Sequence, residues 1–168
     1  MNLLETCEKI GITGFMHPDE LEKLTELAIN KEVLEVGSFK GLTAFCMGIV
    51  AKAVTCIDTF KANSAGQQQM PEFATLDDFQ RATIRFRSVI AHIGTSEELG
   101  RPENAAIVGA DFDLIFLDAM HTYEDVKADI ERWWPRVRSG GLMVFHDYGH
   151  GDFPGVKQAV DERFGPQH

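Results

Sequence analysis

With 168 residues and 44% hydrophobic side chains, the chain fits one domain with one real core, read as a helical segment over 1–30 and a core over 31–168. A formal charge of −10, from 26 acidic against 16 basic residues, argues against nucleic acid or an anionic membrane surface as the main partner. Cys7, Cys46 and Cys56 are odd in number and lack metal-ligand spacing, so they read as reduced cysteines of a cytoplasmic protein. No signal sequence opens the chain and no apolar run is long enough to span a membrane.

In chain order, Pro18-Asp19-Glu20 opens a helix carrying Leu21, Leu24, Leu27 and Ala28 on one face and running to about Asn30. A short strand follows over Val33 to Val36. The stretch from Gly41 to Ala51 is apolar almost all round, which predicts a deeply buried helix. A second strand spans Ala53 to Asp58. Lys61 to Phe73, with Gly66, Gln67 to Gln69 and Pro71, has no hydrophobic period and reads as a loop. Thr75 followed by Asp78 is an N-cap pattern, and Arg81 to Arg87 places three arginines on what reads as one solvated helix.

A third strand covers Val89 to Gly94 and a fourth Phe112 to Ala119. Thr122 with Asp125 caps a helix bearing Val126, Ile130, Trp133 and Val137, expected to stop at Ser139-Gly140-Gly141. The fifth strand is Leu142 to Asp147, and Phe153 to Phe164 forms a last helix. Strands alternating with helices indicate parallel βαβ units, and the nearly continuous apolar runs at 113–118 and 141–146 suit strands covered on both faces. The pair Trp133-Trp134, in helical register with Ile130, is read as core or interface.

In an open parallel sheet, ligands bind beyond the carboxyl ends of the strands. Here all five ends are polar: Glu35-Val-Gly37-Ser38, Asp58-Thr59, Gly94-Thr95-Ser96, Asp118-Ala-Met-His121 and His146-Asp147-Tyr148. The first of these, continuing to Gly41, reads as strand, tight turn and helix. A dinucleotide fingerprint would need glycines where Phe39 and Leu42 stand, and their side chains would obstruct a pyrophosphate. Glu35 would repel phosphate but suits an amino-acid ammonium. Asp58, 17 residues after Gly41, stands where a carboxylate can accept both ribose hydroxyls. A ribose and a charged amino acid without phosphate describe S-adenosylmethionine.

These motifs, with Phe116-Leu-Asp-Ala-Met-His-Thr-Tyr-Glu and Gly140-Gly-Leu-Met-Val-Phe-His-Asp-Tyr, resemble class I S-adenosylmethionine-dependent methyltransferases, particularly small-molecule O-methyltransferases of the catechol and macrolide-sugar type. The resemblance runs from about Val33 to Val160. It implies an α/β, Rossmann-like doubly wound sheet with core strand order 3-2-1-4-5. It further implies a cofactor site of Glu35, Gly37, Ser38, Gly41, Asp58, Thr59, Ser96 at the adenine, and Asp118. In metal-dependent members Asp118 and Asp147 would hold Mg²⁺, and His121 falls at the general-base position.

The chain departs from that pattern in three places. Tyr148 stands where a third metal ligand is expected, leaving open whether His146 completes the site, whether it is weaker, or whether no metal is held. Met120 replaces a second carboxylate, and strands 6 and 7 of the family are missing or truncated, with 21 residues after Asp147. An uncovered sheet edge and the Trp pair make a homodimer an open expectation. The expected activity is O-methylation of a small hydroxylated molecule. The alternatives are an NAD(P)-binding oxidoreductase, a metal-dependent hydroxylase-like protein and a non-catalytic cofactor-binding protein of the same fold.

Overall fold

The computed structural model describes residues 2–61 and 75–166, so the glutamine-rich stretch lies outside the described residues apart from Lys61. Five strands, β1 (Glu32–Val36), β2 (Ala53–Asp58), β3 (Val89–Ile93), β4 (Phe112–Leu117) and β5 (Val137–Phe145), form one parallel sheet in the order β3-β2-β1-β4-β5. The helices are α1 (Leu3–Lys9), α2 (Pro18–Leu27), α3 (Leu42–Val50), α4 (Leu76–Thr83), α5 (Ser96–Leu99), α6 (Ala105–Val108), α7 (Tyr123–Trp133) and α8 (Pro154–Phe164). This is the Rossmann-like, doubly wound order expected from the sequence.

Side-chain alternation along the strands divides the core in two. Leu34, Val36 and Ile115 face α7 and α8, where they meet Val126, Ile130, Trp133, Val156 and Val160. Val33, Leu114 and Phe116 face the other way, against Leu24 and Ala28 at α2, Ala44 and Met47 of α3, and Phe79 of α4. Every residue from Leu42 to Gly48 is buried, as an all-round apolar helix requires. Cys7, Cys46 and Cys56 are buried free thiols. Among the described residues no helix is long and apolar enough to cross a membrane.

Both expected threonine caps are present. Thr75 accepts from the Asp78 amide, and Thr122 from that of Asp125. Several boundaries differ from expectation. The helix that was to stop at Ser139-Gly140-Gly141 ends at Trp133, because Pro135 cannot supply the amide that the next turn needs; a 3₁₀ turn over Trp134–Arg136 follows. Val137 to Gly141 therefore belong to β5, with a register irregularity against β4 between Phe112 and Leu114. Helix α2 ends at Leu27, and α4 ends at Thr83, so Arg85 and Arg87 lie beyond the helix read for them.

The ladder continues one step past the strands. The amides of Gly37, Gly94, Asp118 and His146 donate to the carbonyls of Ile57, Asp58, Val36 and Leu117. Strand-end residues far apart in sequence are thereby fixed at one level of the sheet.

Candidate active site

The loop after β1 is shaped from both sides. Gly37 has φ +90°, and a Cβ there would sit 2.0 Å from the carbonyl oxygen of Asp118, so only glycine fits. The amides of Ser38 and Phe39 both donate to Asp58 Oδ2 at 2.9 Å, and that of Phe60 donates to Oδ1 at 2.8 Å. Asp58 thus closes the loop with charge-assisted bonds, and two amides that could cradle a phosphate are engaged by the chain's own carboxylate. Gly41, φ +86°, caps α3 and lies under Phe79 of α4. Thr59 is half-buried, and its hydroxyl accepts from the Lys61 amide.

Glu35 is fully buried beneath this loop. Its Oε1 accepts from the Thr43 hydroxyl, while Oε2 and Ser38 Oγ have no hydrogen-bond partner among the described residues. Burial pushes the carboxyl up to about 7, against the hydrogen bonds that favour its charged form. Two buried polar atoms without partners, at the glycine loop of a strand end, fit a ligand carrying its own donors and acceptors.

At the ends of β4 and β5, Asp118, His121, His146 and Asp147 converge, one ligand atom of each lying within 4.8 Å of all the others. His146 Nδ1 is 3.2 Å from Asp118 Oδ1 and 2.8 Å from Asp147 Oδ2, and His121 Nε2 is 2.9 Å from Asp147 Oδ2 and 3.7 Å from Asp118 Oδ1. Pairing of Leu117 with Phe145 brings the two strand ends together, and the first turn after β4 returns His121. Burial alone would lower the His146 imidazole, but the adjacent Asp118 and Asp147 carboxylates outweigh it and raise the pKa to about 9. Burial likewise opposes ionisation of Asp118, yet hydrogen bonds from His121 and His146 hold its carboxyl below the usual range. Met120 lines the same depression with Ala119, Phe145 and Val156.

Two neighbours of this cluster carry no local sequence signal. Glu20, in the first turn of α2, places Oε2 3.8 Å from His146 Nε2, and the Phe153 ring stacks on His121 with centroids 4.3 Å apart. Both contacts join segments distant in sequence, so no spacing rule could reveal them.

Ser96 follows β3 as expected, but Thr95 caps α5. The Ser96 hydroxyl donates to Asp129 and accepts from Trp133 Nε1 at 2.7 Å, which ties α5 to α7. Tyr148 turns away from the cluster, its hydroxyl donating to Asp161 Oδ1 at 2.8 Å. It therefore leaves the cluster with two carboxylates and two imidazoles. Of these, the Asp118 and Asp147 carboxylates are the oxygen donors that suit Mg²⁺, which ordinarily takes one or two carboxylates and keeps water at its other positions.

A model of the methyltransferase domain family matches residues 34–148. Among solved structures, the fold is similar to the O-methyltransferase NovP, with 16% identity and a TM-score of 0.66 over 85% of this chain and 69% of that one. It is also similar to the O-methyltransferase from Bacillus cereus in complex with SAH, with 14% identity and a TM-score of 0.63 over 95% and 76% of the two chains. At those identities the likeness shows the fold alone. The protein y4gI of Sinorhizobium fredii is 27% identical over 124 residues, 70% of this chain, and the chain spans 13% of that relative's length. The family match takes in the glycine loop, Asp58 and all four members of the Asp–His cluster, and the chain belongs to the methyltransferase domain family.

Proposed function

We propose that this domain binds S-adenosylmethionine over the carboxyl ends of β1 and β2 and methylates a hydroxyl oxygen of a small molecule seated at the ends of β4 and β5. The observation that carries this reading is the direct backbone contact between Gly37 and Asp118, which sets a phosphate-averse glycine loop beside an acid–base cluster. Glu35 Oε2 and Ser38 Oγ are the groups to meet the methionine end, with Gly37 and Gly41 allowing close approach. Asp58 and Thr59 stand for the ribose, Ser96 for the adenine edge, and Asp118 borders both halves. The cofactor supplies an electrophilic methyl group on a sulfonium.

The chain's own residues then have three tasks: to align the acceptor oxygen, to exclude water and to remove one hydroxyl proton. His121 is the proton acceptor in this reading, through the ring nitrogen that does not face the two carboxylates. Asp147, 2.9 Å away, stabilises the imidazolium that forms, and the stacked Phe153 ring fixes its plane. His146, held cationic between Asp118 and Asp147, stabilises negative charge developing on the acceptor oxygen. Where Mg²⁺ is bound, Asp118 and Asp147 would hold it and it would supply polarisation of the acceptor hydroxyl. A small-molecule acceptor follows from the family likeness, and a homodimer through the uncovered edge of β5 is compatible with it.

The test is calorimetric titration with S-adenosylhomocysteine and with NAD(P), followed by an assay for S-adenosylhomocysteine released in the presence of hydroxylated small molecules. Saturable binding of the former and none of the latter is expected. Binding of NAD(P) alone would overturn the reading.

A further inference from the structure

We propose that Cys7 and Cys46 are a redox-reactive pair that closes to a disulfide under a small-molecule disulfide oxidant and so pins the segment after α1 over the loop after β1. Their Sγ atoms lie 3.6 Å apart, one on α1 and the other on α3, although 39 positions separate them in sequence. Both are buried in one cluster with Ile12, Leu21, Leu42, Phe45 and Ala82. The sulfurs are therefore already in contact, and a bond between them moves no strand. Cys56 stands apart, on β2 in the cluster around Val33 and Met47.

Cys7 is the one fully buried residue of α1, a helix of seven residues, and only the half-buried Leu3 and Leu4 add to its docking. A helix held by so little apolar surface opens locally at far lower cost than the sheet. While α1 is docked, burial pushes both thiols up and keeps them protonated and inert. Once α1 lifts, Cys7 regains ordinary thiol reactivity. Its thiolate attacks one sulfur of the oxidant, breaks that S–S bond and expels one thiolate, leaving a mixed disulfide. On redocking, the Cys46 thiolate attacks Cys7 Sγ, forms the Cys7–Cys46 bond and expels the second thiolate. Two electrons pass from the pair to the oxidant, and the two cysteine protons end on the two thiols released.

The bond reaches the loop after β1 through the chain that follows Cys7. The Cys7 carbonyl accepts from the amides of Ile10 and Ile12. Gly14 then packs on Leu42, the first residue of α3, so closely that an added Cβ would lie 2.9 Å from Leu42 Cβ. The Phe15 ring rests on that of Phe39, with centroids 5.6 Å apart, and Phe39 belongs to the loop that Asp58 closes. Fixing Cys7 to α3 thus holds this cover in place. The consequence for the cofactor rests on the proposed function: if S-adenosylmethionine lies on that loop, the oxidised chain releases it more slowly.

The test oxidises the full chain with glutathione disulfide and counts thiols in denaturant. Of the three thiols present, two should be lost and recovered with dithiothreitol, and peptide mapping should show Cys7 joined to Cys46. The melting midpoint should rise by about 5 °C or more. Cys56→Ala should still lose two thiols, whereas Cys7→Ser and Cys46→Ser should give neither the cross-link nor the rise. Persistence of all three thiols, a cross-link through Cys56, or arrest at the mixed disulfide would overturn the inference. Dissociation of S-adenosylhomocysteine should slow by at least about threefold on oxidation. An unchanged rate in the cross-linked chain would overturn the role given to the cover. Failure of both forms to bind S-adenosylhomocysteine would instead count against the proposed function, with the disulfide still decided by thiol count and midpoint.

Discussion

A Cβ atom on Gly37 would lie 2.0 Å from the carbonyl oxygen of Asp118 and 2.9 Å from Ala119 Cα, so the loop after β1 and the end of β4 touch through backbone alone. Neither partner can yield without moving a strand. Gly37→Ala should therefore destabilise the fold by on the order of 3 kcal/mol or more. Gly11→Ala is the control: φ is also positive, at +79°, but nothing lies within 4 Å of the added atom. It should cost about 1 kcal/mol. Urea midpoints of the two variants measure the difference, and equal losses would show that close packing at Gly37 contributes nothing.

Asp58 accepts three backbone amides, two of them from the loop that meets the cofactor in the proposed function. Asp58→Ala leaves those donors without their acceptor and should cost about 2 to 4 kcal/mol. S-adenosylhomocysteine affinity should fall by at least about 10-fold. A loss of affinity with an unchanged melting temperature would move Asp58 from shaping the loop to touching the ligand directly.

The pH dependence of stability should report Glu35. Its folded-state value of about 7 lies above the ordinary 4.5, because burial disfavours the charge. The native state therefore holds a proton that the unfolded chain releases. Stability is greatest below the unfolded value and falls as pH rises through 7, by on the order of 3 kcal/mol. Glu35→Gln should flatten this decline in denaturation curves taken between pH 4.5 and 8. An unchanged slope would mean that another group titrates there.

Ser96 offers a way to separate structure from recognition. Its hydroxyl joins Asp129 and Trp133, so Ser96→Ala leaves the buried Trp133 indole without its acceptor and should cost about 1 to 3 kcal/mol. Calorimetry with S-adenosylhomocysteine then tests the adenine role: an affinity change beyond about threefold supports it, and none removes it.

For the transfer step, His121→Ala should lower kcat by about 10² to 10⁴ while leaving cofactor affinity nearly unchanged. Asp147→Asn, which keeps the shape but removes the charge beside Nε2, should lower it less. Rates equal to wild type in both variants would remove the proton-acceptor assignment.

The sequence by itself determined what depends on local patterning. Apolar runs located the five strands, Thr75 and Thr122 located two helix starts, and the polar residues at the strand ends marked the end of the sheet where Asp118, His121, His146 and Asp147 converge. These features are set by side-chain period and by backbone chemistry within a few residues. The end of α7 was readable in principle from Pro135, but the Ser-Gly-Gly signal beyond it suggested a later stop. Tertiary structure alone decided that Asp58 would accept the loop amides, that Tyr148 would turn to Asp161, and that Glu20 and Phe153 would stand behind the two histidines. It also turned His121, nominated as a base, into the same ring of donors as His146. Each of these depends on which strands pair and in what register, and so on contacts between segments that the chain keeps far apart.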